Sequence, residues 1–340
     1  MVRKSLIVAA LVAFSSPLAA QEEWVWSADR PDGAAPAGVL GVRTLETGEL
    51  HLEYRWVQNN YQGVWFGKDS LDLSTTLQLF EVAPLSLSDI RHTAQVSYGV
   101  SDNLTLRARG EFAFIEREQL RDDGTYYITS TSALGDVYAD LTYNVIRSGP
   151  YRLDVNAGAI IPLGKSTTYA VSPYSQPAEE ATPYDMRPGA GSFGIYGSVS
   201  ADAQNEFGSV GAQFKMRTYV NENSRDFTLG DRYEANGWAA YVLNEHFSIS
   251  AGVRWEKWAR IDGSDPFLGS VPMRDPMNDG LFLGGIRASM PLGLNFVGPM
   301  GSVIAGHRVS FETVYALHHD YEGPQIGLDW GLTLGYSVPF

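Results

Sequence analysis

The chain has 340 residues, 44% of them hydrophobic, with 25 basic against 39 acidic residues and no cysteine, for a formal net charge of −14. Without cysteine there are no disulfides, no lipoprotein anchor and no thiolate metal site. The acidic balance argues against a nucleic-acid partner, which needs concentrated Lys and Arg for phosphate.

Arg3 and Lys4, the apolar run Leu6 to Phe14, the breaker Ser15-Ser16-Pro17 and then Leu18-Ala19-Ala20 read as a secretory signal peptide over 1–20, cleaved before Gln21. Loss of Arg3 and Lys4 takes the 25 basic residues to 23 against 39 acidic, a net charge of −16 over 21–340. No later apolar run reaches the ~20 residues that a membrane-spanning helix needs.

The rest of the chain is dominated by alternation. Leu50, Leu52, Tyr54 and Trp56 interleave with His51, Glu53 and Arg55. Leu104, Leu106, Ala108, Gly110, Phe112 and Phe114 interleave with Thr105, Arg107, Arg109 and Glu111. The same period recurs over 137–145 and 247–256, and it is longest at the end, where Ile326, Leu328, Trp330, Leu332, Leu334, Tyr336, Val338 and Phe340 share one face. Successive strand residues point to opposite faces, so each such segment is a strand with one apolar side. A soluble sandwich would bury that side. The number of long strands, with aromatic residues at their ends, points instead to lipid contact.

Twelve strands are expected, near 48–57, 93–101, 103–114, 134–146, 150–162, 191–203, 207–220, 233–244, 246–257, 280–291, 305–318 and 326–340. The links between them alternate short and long, as periplasmic turns and extracellular loops do in an outer-membrane barrel. The link 292–304 is the exception, long where a short turn is due. Residues 71–79 are assigned to the first external loop, and 233–244 has an ambiguous face because Trp238 opposes Tyr241. The expected fold is thus an all-β transmembrane antiparallel barrel of about 12 strands over 21–340. Tyr336 and the terminal Phe340 resemble the C-terminal signal by which the barrel assembly machinery recognises such chains.

If the apolar face meets lipid, the other lines the lumen. The lumen candidates are Glu53, Arg55, Arg107, Arg109, Glu111, Asp136, Asp140, Arg152, Asp154, Lys215, Arg217, Arg254, Glu256, Arg287, Arg308, Glu312 and Asp329. At the bilayer midplane a lipid-facing charge costs ~2–4 kcal/mol, so these need water or partners. They fit either a polar conduit, with Arg107/Arg109 and Lys215/Arg217 facing carboxylates, or an ion-pair network that fills the barrel.

Catalytic and metal motifs are weak. His246-Phe247-Ser248 has the spacing of a phospholipase-type pair but lies by a periplasmic turn and points inward. His318-His319-Asp320 sits at the external rim, where a hydrolase would place a His/Asp set, yet adjacent strand residues face opposite ways. Asp262-Gly263-Ser264-Asp265 with Asp275 and Asp279 lacks the spacing of a calcium loop. No catalytic residue, metal ligand or cofactor is assigned.

Gly230-Asp231-Arg232-Tyr233-Glu234-Ala235, Trp238-Ala239-Ala240-Tyr241, Asp265-Pro266, Asp275-Pro276, Gly306-His307-Arg308 and the run from Gly323-Pro324-Gln325 to Asp329-Trp330 carry a resemblance. With Val82-Ala83-Pro84 and Ser101 to Leu106, they resemble outer-membrane transporter-type barrels related to the meta-pathway phenol-degradation barrel proteins. The resemblance covers most of 21–340 and implies fold and location rather than a solute. Members rich in Met and His around the first strands suggest a metal link; here 82–100 holds His92 and no Met.

The functional expectation is a channel or transporter-like barrel that passes a small polar or aromatic solute by passive diffusion. Its expected surroundings are outer-membrane lipid and the assembly machinery. The alternatives are a non-conducting surface barrel or adhesin using loops 163–190 and 258–279, and a hydrolase with a rim site at His318, His319 or Asp320.

Overall fold

A computed structural model describes residues 24–268 and 274–340; the expected signal peptide lies outside them. The wall is built from β1 (Leu50–Gly67), β2 (Val82–Ser101), β3 (Leu104–Arg121), β4 (Tyr126–Leu134), β5 (Val137–Ser148), β6 (Tyr151–Ile161), β7 (Gly194–Gln204), β8 (Gly208–Tyr219), β9 (Arg232–Val242), β10 (Phe247–Trp258), β11 (Gly285–Val297) and β12 (Arg308–Pro339). Every neighbouring pair is antiparallel, and β12 pairs with β1 to close the ring. Closure joins the two ends of the sheet, and of these wall strands only β4, above the ring, keeps one side without a ladder partner among the described residues.

Eleven continuous strands make this ring, with β4 extending the wall above β5 on the same partner, β3. The last strand crosses the wall twice. Residues 308–321 of β12 pair with β11, and 321–339 return along β1. That gives twelve passages, in line with the expected number of about twelve.

The outward face carries the apolar belt: Leu52, Leu106, Leu141, Val155, Val199, Phe214, Ile249, Val253, Leu294 and Leu334 are all exposed. Tyr98, Tyr143, Tyr151, Phe207, Tyr241, Phe247 and Tyr336 are exposed near the strand ends on the short-turn side, the place of a headgroup girdle. Trp238 resolves the ambiguity of its strand by pointing inward, while Tyr241 points out.

Three features depart from the sequence reading. First, β1, β2 and β3 run well past the expected strands, to Gly67, back to Val82 and on to Arg121. Above the belt both faces meet water or loops, so apolar alternation stops reporting the strand while backbone pairing continues. Second, the segment 292–304 is not one long turn, because β11 continues to Val297. Residues 71–79, assigned to a loop, hold the short helix α1 (Leu73–Leu79), whose first turn is capped by Asp72 accepting from the Thr75 N–H.

Third, the last strand does not keep one face. The β1–β12 register shifts around Asn60 to Gly67. Below the shift Leu334 and Tyr336 are outward; above it Ile326 and Leu328 are buried, 6% and 4% exposed, and Asp329 is exposed. A slip of one residue swaps every side chain to the other face. The apolar row of 326–340, continuous in sequence, is therefore two rows on opposite sides of the wall.

Candidate functional site: the lumen

The lower half of the barrel is not empty. Residues 24–45, which carry no strand period, enter across its short-turn mouth and run inside it. Their backbone is held from around the wall: the Gln213 side chain donates to Leu40 O (2.7 Å), Arg55 to Ala37 O (3.0 Å) and Ser209 to Asp32 O (2.9 Å), while Leu45 N–H donates to Thr105 (2.7 Å). Val39 and Val42 pack on Trp238. Arg308 donates to the carbonyls of Ala28 and Arg30. This inner segment was not read from the sequence, and composition was its only signal: Ala34-Ala35-Pro36-Ala37-Gly38 are small enough to thread between long side chains. Gly38 shows the need, since a Cβ there would lie 2.1 Å from the Arg254 guanidinium and 2.3 Å from the Glu312 carboxylate.

The external end is covered by the segment 162–193 and by the described residues 259–268 and 274–284. Arg117 on β3 is fully buried and donates to Asp275 (2.8 Å) in one and Asp185 (3.4 Å) in the other. Arg187 pairs with Asp265 at 2.8 Å, joining the two segments directly. Beneath them Met186 and Met277 pack on Leu87, Ala113, Ile115 and Ile326, and Tyr184 packs with Phe227, Ile261 and Leu268. Most of the clustered apolar core among the described residues lies in this lid, the rest around Trp238 in the lower half. Burial raises the Asp185 carboxyl to about 6, outweighing the Arg117 charge beside it, with the Asp275 carboxylate adding to the rise. Burial also lowers Arg187.

Between inner segment and lid lies a cavity of about 580 Å³. Ala37, Gly38 and Leu40 form its floor, and Tyr184, Arg187 and Met277 its roof. Two smaller chambers, about 150 and 130 Å³, lie beside the inner segment and share lining residues with the cavity: Arg109, Tyr138 and Arg217 in the first case, Ala37, Leu40 and Arg55 in the second.

Most of the lumen candidates are matched in ion pairs. Arg55 pairs with Glu53 (2.5 Å), Arg107 with Asp140 (3.4 Å), Arg152 with Asp154 (3.5 Å), Lys215 with Glu234 (3.3 Å), Arg254 with Glu312 (3.0 Å) and Arg287 with Glu256 (2.6 Å). Glu111 accepts from Arg91 at 2.7 Å. Asp136 serves the loop, accepting from the Gly164 and Ala190 N–H groups. Arg308 is spent on the carbonyls of the inner segment. Arg109 and Arg217 face the cavity, and among the described residues neither has a carboxylate within 4 Å. Asp329 belongs outside this set: the register shift turns it to the exposed surface.

Sequence reasoning missed Asp89 and Arg91 and the lid anchors Arg117 and Asp185; it named Arg232 and Glu234 only within the resemblance, and Asp275 only there and beside a calcium-type cluster, not as lumen or lid residues. Asp89 and Arg91 keep the inward parity of Thr93 and Ser97, which marks them once β2 is extended. Tyr336 and Phe340 are both exposed; Tyr336 meets His307 Nδ1 at 2.7 Å, and Phe340 N–H donates to Leu50 O.

The rim candidates separate. His318 is exposed while His319 is buried against Trp65, its ring nitrogen 3.0 Å from Leu328 O. Ser248 is fully buried near the opposite end. Asp265 and Asp275 are taken by Arg187 and Arg117. Among the described residues no three His, Asp or Glu side chains converge as a metal site.

No protein-family model matches the sequence, and no curated protein does. Solved structures do match in shape. An outer membrane channel from Pseudomonas putida F1 aligns over 90% of this chain and 100% of its own, with TM-score 0.59 and 11% identity. The toluene transporter TodX of P. putida aligns over 87% and 91%, with TM-score 0.44 and 12% identity. The translocator domain of the autotransporter NalP from Neisseria meningitidis aligns over 88% and 91%, with TM-score 0.46 and 9% identity. The first of these establishes the shared fold. With its closed antiparallel wall and apolar outer belt, the chain is a β-barrel of the outer membrane.

Proposed function

We propose that this outer-membrane barrel is a passive channel that admits a small polar or aromatic solute through its lumen, past the inner segment. The observation that carries the reading is the row of adjacent chambers: a cavity of about 580 Å³ under the lid shares wall residues with two smaller ones beside the inner segment. Their walls are polar, as water-filled barrel interiors are, and the tyrosines Tyr61, Tyr138, Tyr219 and Tyr321 give flat surfaces for a ring.

A specific observation favours a second reading. The inner segment is fastened on many sides and the lid is tied by buried ion pairs, which suits a non-conducting structural or surface barrel. Planar-bilayer recording of the refolded full chain separates the two. Discrete conductance steps are expected. A silent barrel, both intact and with residues 24–45 removed, would leave the structural reading in place.

A further inference from the structure

Of the cations that line the smaller chamber of about 150 Å³, most are matched. Arg107 pairs with Asp140, Lys215 with Glu234, and Arg232 with Glu256. Two are not. Arg109 on β3 and Arg217 on β8 line both this chamber and the main cavity, in the wall that the two share. Among the described residues neither has a carboxylate within 4 Å, and the Nε atom of Arg217 is buried without a hydrogen-bond partner.

Both guanidiniums instead lie against tyrosine rings. Arg109 Cζ sits 4.3 Å from the Tyr138 ring centre and Arg217 Cζ 5.5 Å from that of Tyr219. Tyr196 meets Tyr138 edge to face at 5.8 Å. A ring contact offsets only part of the cost of removing a cation from water. A buried donor without an acceptor is costly, and two neighbouring cations without a paired carboxylate, with Glu111 and Asp136 elsewhere in the same wall, favour a further anion.

From this arrangement we infer that Arg109 and Arg217 form a binding station for an aromatic carboxylate passing through the lumen. The carboxylate accepts from the two guanidinium groups, whose planar forks suit its two oxygens. The ring of the solute lies among Tyr138, Tyr196 and Tyr219. The inference rests on the channel reading and names its solute class, an organic monoanion with a ring rather than a neutral arene.

The test uses the refolded full chain in a planar bilayer under a KCl gradient, with benzoate, acetate or benzamide added on one side. The expected results are an anion-selective reversal potential, and reversible block by benzoate that is stronger than block by acetate or benzamide. Arg109→Gln with Arg217→Gln weakens the benzoate block by about tenfold or more, the scale of losing charge-assisted hydrogen bonds, and moves the reversal potential toward cations. Arg217→Lys, which keeps the charge, retains the selectivity. Equal block of wild type and the double variant by benzoate, or equal block of the wild type by benzamide, overturns the station. Equal block by acetate overturns the aromatic part. Calorimetric titration of benzoate into the folded barrel in detergent makes the two failures distinguishable. Arginine-dependent binding without conductance removes the channel and keeps the station, whereas conductance without arginine-dependent binding does the reverse.

Discussion

The Gly38 N–H donates to the Glu312 carboxylate at 3.0 Å, and the other oxygen of Glu312 accepts from Arg254 at the same distance. Glu312 is fully buried, so one wall carboxylate holds both a wall cation and the backbone of the inner segment. Charge-assisted bonds of this kind contribute about 1.5–3 kcal/mol. Gly38→Leu should break the arrangement, because the space its side chain needs is occupied by Arg254 and Glu312. The expected outcome is displacement of residues 24–45, seen as faster proteolysis ahead of Leu50 and as larger conductance steps. Unchanged values of both would show that the segment does not restrict the lumen.

The lid should loosen when its shared anchor is removed. Arg117→Ala leaves Asp185 and Asp275 buried without their cation, and breaking a buried pair in this way costs about 3–5 kcal/mol. Rapid protease cutting within 162–193 and 259–284 is expected, with the barrel itself intact by its heat-modifiable migration on gels. Arg117→Lys should rescue poorly, since an ammonium cannot present two forks to carboxylates on different segments.

Acid should tighten the same lid. Asp185 is raised in the docked state from 3.8 to about 6, with Arg117, Asp275 and Arg187 as the charged groups around it. A freed lid would titrate near the ordinary value, so docking takes up a proton between these two pH values. The docked state is therefore favoured as pH falls through 6 toward 4, by at most about 1.4 kcal/mol per pH unit, and it loses that advantage above 6. Cleavage within the lid should slow across this window in the wild type, and Asp185→Asn should flatten the profile.

Alternation is legible in a sequence only where the two sides of a strand meet different media. Leu104 to Phe114 showed its two faces because lipid meets one and polar lumen the other. The same strand fell silent after Phe114, where Glu116 and Glu118 point out and Ala113 and Ile115 point in. There water lies outside and the lid core inside, so the pattern inverts and Arg117 looks like one more charge in a polar run. The inner segment was illegible for a different reason: Ala34 to Gly41 is neither helix nor strand, and its partners are up to 274 residues away, as for Gly38 and Glu312. The ion pairs could be foreseen as a set of inward charges, but their matching depends on cross-strand register. That is why the unmatched Arg109 and Arg217 emerge only from the structure.

The register shift in β12 makes a final contrast between residues that look alike in sequence. Leu328 and Leu334 have the same parity, yet Leu328 is 4% exposed inside the wall and Leu334 is 43% exposed on the belt. Leu334→Arg should place a charge against lipid and cost about 2–4 kcal/mol near the midplane, lowering the folded yield in vesicles more than in detergent. Leu328→Ala should cost about 2–5 kcal/mol by opening a cavity, equally in both media, since its neighbours are protein. Asp329→Leu should be tolerated, because no ion pair with Asp329 exists among the described residues and its side chain is exposed. If Leu328→Arg behaved like Leu334→Arg, with a defect specific to lipid, the two residues would share a face and the shift would have to lie elsewhere in the strand.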